Sequence, residues 1–390
     1  MEAIRSATST AVHALLLLTL IVLLGVFPLD VILPSFPTLA AYFGSTPADI
    51  SLSVSLFAIG IALSQLIVGP LSDALGRKRL LLGGLVLSVV GAMGCLASST
   101  LPSFLLFRIM QAVGCGCFVL GHALVQDLFT RHSQTRVRIF LTSAGGVFIA
   151  TSPLFGTWLQ IAFDWPGSFY AFVALAAIVI GHAMLFLKPD QPSTSVTEAF
   201  RAFPVVCTDK RFMAYAAIAA IAFTCHFAFI VVSPLLFMAR MGLGQLEFSL
   251  ILLTYGFAYT AGGLCATWLH QRVGQGRQIA AGLLLIGIAG VVLMGGLRVW
   301  GLSVPGVLVP MIICTAGTTI IRPAAFTLAM SRFPRNAGAA AAVASTLMFM
   351  LGGTISGGIA ASGLALERNL ACGFITLSLF AGVLQWFAKR

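Results

Sequence analysis

Charge is what this sequence has least of. Asp, Glu, Lys and Arg make up 8% of its 390 residues, and only 11 residues are acidic. A soluble globular domain carries about 25% charged residues. With 59% of the chain hydrophobic, there is too little polar surface to coat a fold that faces water, and a soluble protein is excluded. Catalytic patterns are missing as well. No GxSxG or HExxH occurs, no phosphate-binding glycine loop is found, and the few acids are scattered. These absences argue against a hydrolase and against ATP as a drive supplied by this chain. No selectivity-filter segment recurs, which argues against a channel. The eight cysteines form no CxxC and no Cys/His zinc spacing, so neither a metal nor a disulfide framework is expected. Most of them fall in apolar runs and read as small packing residues.

What is present is a series of long apolar runs. A membrane helix needs about 20 apolar residues, and such stretches recur twelve times. They lie near 11–34, 49–71, 80–99, 102–128, 138–160, 167–187, 212–238, 248–270, 277–298, 303–330, 337–361 and 367–388. The first does not read as a cleaved signal peptide: it is long, carries Asp30, and leads directly into further spans. The chain is basic, with a net charge of +11. Nucleic-acid binding is not the reading, because the basic residues alternate with the spans. Seventeen of the 22 Lys and Arg residues fall in the segments that share a side with the N-terminus, among them Arg77, Lys78, Arg79, Lys210, Arg211, Arg332 and Arg335. That bias predicts both termini in the cytoplasm.

A polar stretch near mid-chain, starting at Lys188, splits the spans six and six. The expected organisation is a six-helix bundle over 1–188, a cytoplasmic linker over 189–211 and a second six-helix bundle over 212–390. A faint repeat at an offset near 200 relates Pro34 to Pro234, and Gly76 with Arg79 to Gly274 with Arg277. A parallel six-plus-six repeat is an architecture of secondary transporters.

Between the second and third spans runs Gly69-Pro70-Leu71-Ser72-Asp73-Ala74-Leu75-Gly76-Arg77-Lys78-Arg79. This segment resembles the cytoplasmic signature loop of the major facilitator superfamily. Three further segments extend the resemblance: Leu29-Asp30-Val31-Ile32-Leu33-Pro34 in the first span, Arg108-Ile109-Met110-Gln111 in the fourth, and Ser152-Pro153-Leu154-Phe155-Gly156 in the fifth. Together they resemble the drug/proton antiporter branch, and within it the Bcr/CflA-type exporters. The resemblance implies an all-α membrane protein with the major facilitator fold, twelve transmembrane helices in two six-helix bundles. It implies an inner-membrane antiporter of multidrug type, driven by the proton gradient with no cofactor. The loop is then a gate latch built from Gly69, Asp73, Gly76, Arg77 and Lys78, with Pro153 and Gly156 serving the same conformational change. The expected partners are a small-molecule substrate and the lipid bilayer, and a monomer is the expected working unit.

Only Asp30, Arg108 and Arg322 place an ionised side chain well inside a span. Each costs about 2.5–3.5 kcal/mol at a helix centre, so each is a candidate functional residue. At 1.5 Å per residue, Asp30 and Arg108 both lie roughly 8–9 Å below the outer boundary. A pair at one depth is expected, with Asp30 as the proton site and Arg108 tuning it. Arg108, Gln111, Cys115, His122 and Gln126 keep helical spacing along the fourth span and predict a polar cavity lining. His122 and His226 are candidate cavity or relay residues. Arg322 either attracts an anionic cargo or snorkels to the inner surface. Multidrug-type efflux is the leading expectation. Export of an anionic metabolite such as a siderophore is the alternative, and a proton-coupled uptake permease is the third.

Overall fold

A backbone that crosses lipid must satisfy its own N–H and C=O groups, and a helix does this within one segment. The structure, a computed structural model, describes residues 2–188, 200–333, 336–363 and 366–389; within these, the side chains of residues 2–10, 73, 122, 131, 132, 135, 139, 267, 270 and 271 are outside the description. The expected gate residue Asp73 and cavity residue His122 therefore lie outside the described side chains.

Among the described residues, twelve helices are long and apolar enough to span a bilayer: Ala11–Tyr42, Pro47–Ser72, Arg77–Leu96, Leu101–Leu128, Arg136–Phe163, Pro166–Phe186, Lys210–Arg240, Gln245–Ala266, Gln275–Trp300, Val304–Met330, Ala337–Ala360 and Leu366–Lys389. They are called the first to twelfth spans below. The end of the bundle where the chain starts is called the N-terminal face, and the other end the far face. The expected linker is only partly described: residues 189–199 lie outside the described residues. The remainder contains a short helix, Ala202–Thr208, and the seventh span starts at Lys210 behind an Asp209 cap. Asp209 Oδ1 accepts from the Phe212 amide at 2.7 Å, and its Oδ2 accepts from Arg332 at 2.7 Å. The hydrogen bond from Arg332 holds the Asp209 carboxyl below its usual range.

The first span runs further than its apolar stretch suggests, because it is broken and then resumes. Its first helix ends at Asp30, a 3₁₀ turn covers Leu33–Ser35, and a second helix covers Phe36–Tyr42. Pro34 has no N–H to return to the Asp30 carbonyl, and Pro37 has none for Leu33. Prolines act elsewhere too. Pro153 and Pro234 deprive the carbonyls of Ile149 and Ile230 of their usual donors. In each case the serine just before the proline supplies one: Ser152 Oγ to Ile149 O at 3.1 Å and Ser233 Oγ to Ile230 O at 2.9 Å. A π-helical segment, Leu235–Arg240, follows Pro234. Thus Pro34 and Pro234 mark irregular stretches at corresponding places in the two halves. By contrast, the tenth span stays helical through Pro310 and Pro323.

The second span turns into the third within one residue. Gly76 sits at φ 91°, a conformation strained for any side chain. Beside it, Arg77 bonds Asp127 and donates to Ala123 O at 2.9 Å, while Lys78 donates to Met184 O at 2.8 Å and to Leu187 O. These contacts tie the signature loop to the fourth and sixth spans of its own half. Gly274, its repeat counterpart, has an ordinary φ of −61°.

The halves meet where the second span packs on the eleventh and the fifth on the eighth. Gly353 makes the first contact possible: a Cβ there would lie 2.6 Å from the Ser55 carbonyl. Ser55 and Ser356 hydrogen-bond across the same seam at 3.0 Å, and Thr346 donates to Ala62 O at 3.1 Å. At the other seam Thr157 and Ser249 hydroxyls are 2.6 Å apart, and Ser249 donates to Pro153 O at 3.0 Å. At Gly69, one of the expected latch residues, a Cβ would lie 3.6 Å from Ala342 of the eleventh span, an ordinary contact.

These contacts predict a cross-link. In a background with the native cysteines replaced, Ser55→Cys with Ser356→Cys is expected to oxidise readily to a disulfide, seen as a gel shift under mild oxidant. Adding Gly353→Leu is expected to suppress it. Equal cross-linking with and without Gly353→Leu would contradict the close seam.

Candidate functional site between the two halves

Asp30 lies at the break in the first span. It is half-buried, with its carboxyl group beside the Ser152 hydroxyl of the fifth span. The fifth span comes this close because Gly156 has no side chain: a Cβ there would be 2.3 Å from the Val31 carbonyl. The exporter-like segment Ser152-Pro153-Leu154-Phe155-Gly156 thus does three things. Ser152 touches the carboxylate, Pro153 offers its carbonyl to the eighth span, and Gly156 admits the broken backbone of the first.

The expected pair of Asp30 with Arg108 is not made. Arg108 is buried to 1% exposure inside the N-terminal bundle. Its Nη2 donates to Pro28 O at 2.9 Å and its Nη1 to Gln111 Oε1 at 2.8 Å, and its guanidinium stands 4.3 Å from the Phe57 ring centre. Among the described residues no carboxylate lies within ion-pair distance of it. The cause is local: the helix break next to Asp30 leaves the Pro28 carbonyl turned to the fourth span, and a planar guanidinium fits that carbonyl and Gln111 together. Similar depth along two helices did not bring the two charges onto facing surfaces.

The polar stripe of the fourth span is also broken. The span changes from α-helix (Leu101–Cys115) to a 3₁₀ segment (Gly116–Val119) and back (Leu120–Leu128). The change from about 3.6 to 3.0 residues per turn rotates the later positions off the face. Gln111 and Cys115 are buried within the N-terminal half, and Gln126 is exposed near the N-terminal face. Gln111 is so tightly packed that a Cβ on Gly91 would touch its backbone at 2.4 Å. Gln111 and Cys115 therefore do not line a cavity between the halves.

The C-terminal half brings together what the sequence left apart. His226 is buried, its Nδ1 hydrogen-bonds the Tyr255 hydroxyl, and the two rings are stacked at 5.4 Å. Tyr259, one turn further along the eighth span, lies 5.2 Å from the His226 ring. Arg322 Nη1 donates to the Tyr259 hydroxyl at 3.0 Å, and its guanidinium is 5.2 Å from the Phe223 ring centre. Arg322 turns to the eighth span here and does not reach for the N-terminal face. A polar cluster therefore joins Tyr255, His226, Tyr259 and Arg322 across the seventh, eighth and tenth spans. Sequence reasoning missed Tyr259, Phe223 and the role of Ser152, and did not foresee the partners of Tyr255. The chain has only five tyrosines, and two of them stand at i and i+4 on one helix. That scarcity was the available signal.

Against known families, residues 15–357 match the Major Facilitator Superfamily. This chain belongs to the Major Facilitator Superfamily. Among relatives, a chloramphenicol resistance protein of Pseudomonas aeruginosa is 32% identical over 355 residues, covering 88% of this chain and 82% of that protein. The multidrug resistance protein MdtL of Shewanella oneidensis is 25% identical over 226 residues, 57% of each chain, so the match spans little more than half of that relative. A solved D-xylose–proton symporter superposes with a TM-score of 0.74 at 16% identity, covering 95% of this chain and 97% of that one. That similarity establishes the fold alone. As a member of the superfamily, the chain is a multi-pass membrane transporter, and its relatives agree with the resemblance to the drug/proton antiporter branch.

The separation of Asp30 from Arg108 has a measurable consequence. Arg108→Met should cost about 1–3 kcal/mol of stability, because it strands the buried Pro28 carbonyl and Gln111 amide. In a double-mutant cycle of thermal unfolding with Asp30→Asn, the coupling should be within about 0.3–0.5 kcal/mol, the level of independent sites. Strong coupling would restore the ion pair.

Proposed function

We propose that this transporter is a proton-coupled exporter of small organic molecules, of multidrug type, in a bacterial inner membrane, with both termini in the cytoplasm. One observation carries the reading. Asp30 is an acid with no cation beside it among the described residues, placed at a helix break where the two halves meet. A carboxylate there exchanges its proton when its surroundings change between wet and dry, since burial disfavours the charged form. Rocking of one half against the other makes that change. The hydrogen bonds between the halves run from the far face to the middle of the bundle. With the N-terminal face in the cytoplasm, these bonds lie on the outer side of the bundle and must part for Asp30 to face outward. Cargo and proton then compete for one site, which is antiport. The names of the relatives, chloramphenicol resistance protein and multidrug resistance protein, support the direction of transport.

A second reading, dedicated export of an anionic metabolite such as a siderophore, rests on Arg322, a half-buried cation without a carboxylate partner among the described residues.

The test is reconstitution in liposomes under an imposed proton gradient. Wild type is expected to move ethidium or chloramphenicol against its gradient, and Asp30→Asn to lose the gradient-driven part while still binding cargo. Equal gradient-driven transport by both proteins would remove Asp30 from the coupling. Transport by wild type in the direction of the protons would turn the reading into uptake.

A further inference from the structure

Among the described residues, each half of the molecule holds one half-buried charge without an ion-pair partner, and the two are of opposite sign. On the N-terminal half it is Asp30, beside the Ser152 hydroxyl. On the C-terminal half it is Arg322, held among the described residues by a hydrogen bond to Tyr259 and by the face of Phe223. No ion pair joins the two among the described residues.

A guanidinium carries five N–H donors in a planar fork. At Arg322 one of them is used, on a phenol hydroxyl. That acceptor is weaker than a paired oxygen group, which accepts two parallel N–H bonds at once. The hydroxyl of Tyr259 is thus a replaceable partner. Beside the fork, the Phe223 ring stacks on Phe227 at 5.3 Å and meets Phe349 edge-on at 5.2 Å. A planar group placed there finds an aromatic wall formed by the seventh and eleventh spans.

Building on the export reading above, we infer that the C-terminal half holds an oxygen-acceptor subsite formed by Arg322, Tyr259 and Phe223, and that the preferred cargo is a dipolar aromatic molecule. Its paired oxygens, carboxylate or nitro, take the Arg322 fork in place of Tyr259. Its ring lies against Phe223, and a hydroxyl or amine donor at its other end meets Asp30. The selectivity is for an acceptor at one end and a donor at the other, not for net charge. Neutral and anionic compounds of this shape both qualify. A permanent cation without the acceptor uses Asp30 alone and ignores Arg322.

The experiment is calorimetric titration of the full-length protein in lipid nanodiscs. The probes are chloramphenicol, the same molecule with its nitro group reduced to an amine, nalidixic acid as the carboxylate arm, and ethidium. Wild type is expected to bind chloramphenicol and nalidixic acid at least about tenfold more tightly than the amine analogue, the scale of a good charge-assisted pair. Arg322→Gln should bring those ratios to near one without weakening ethidium binding, since removing a like charge does not disfavour a cation. Arg322→Lys should keep only part of the preference, since it retains the charge and loses the fork. Thermal unfolding of each variant shows that it is folded. Three results would overturn the inference: equal affinity of wild type for the nitro and amine compounds, an unchanged ratio in Arg322→Gln, or binding of none of the acceptor probes. Preference for the carboxylate alone also overturns it, because the subsite then reads net charge. Gradient-driven ethidium transport by the same preparations judges the export reading separately, since ethidium carries no acceptor.

Discussion

A charge inside the hydrocarbon region must find a partner or stay near water, and the interior of this molecule is arranged around how three charges meet that demand. An unmatched one costs about 2.5–3.5 kcal/mol by insertion scales. Arg108 meets it inside one bundle: a backbone carbonyl and an amide oxygen accept from its two Nη atoms and an aromatic face covers it, although its Nε has no hydrogen-bond partner among the described residues. Asp30 and Arg322 are less enclosed, and both remain half-buried. A group that takes its partners from one bundle and is sealed there holds that bundle together and gains nothing from a rigid-body movement. A group left incomplete at the seam responds to whatever enters and to every change in water access. The distinction separates a structural cation from two groups fit for function.

Local chain chemistry creates that seam. Proline removes a helical N–H where the first, fifth and seventh spans must bend or shift, and a serine placed just before Pro153 and Pro234 repairs the orphaned carbonyl. At Pro34 there is no such repair, and the first span breaks beside Asp30. Glycine does the complementary work where backbones must touch: Gly156 lets the fifth span reach the break, and Gly353 lets the eleventh lie on the second. Seams made from small residues and single hydroxyl pairs are closely fitted yet rely on few strong bonds, as rocking between two arrangements requires.

The architecture was legible from the sequence because it depends on quantities that a sequence displays directly. Apolar length sets the spans, the basic loops alternate, and motifs around Gly76 and Pro153 point to the superfamily. Asp30 and Arg322 stood out for the same reason, as rare charges in apolar runs. What failed were inferences about facing. Equal depth suggested that Asp30 meets Arg108, but depth does not fix the rotation of a helix, and the freed Pro28 carbonyl captured the arginine. The stripe from Arg108 to Gln126 assumed one continuous helical phase, which the 3₁₀ segment at Gly116–Val119 interrupts. The roles of the eighth-span tyrosines were not legible because their partners, His226 and Arg322, lie 29 and 63 residues away in the chain. A contact between distant segments leaves no local pattern.

The central claim is that Asp30 holds a proton which cargo displaces. Its most direct test is proton release from purified protein in weakly buffered detergent solution, followed with a pH indicator as chloramphenicol is added. The account predicts release approaching one proton per molecule from wild type near neutral pH, and none from Asp30→Asn at saturating cargo. Release of equal size from both proteins, or none from a wild type shown to bind the compound, would contradict it.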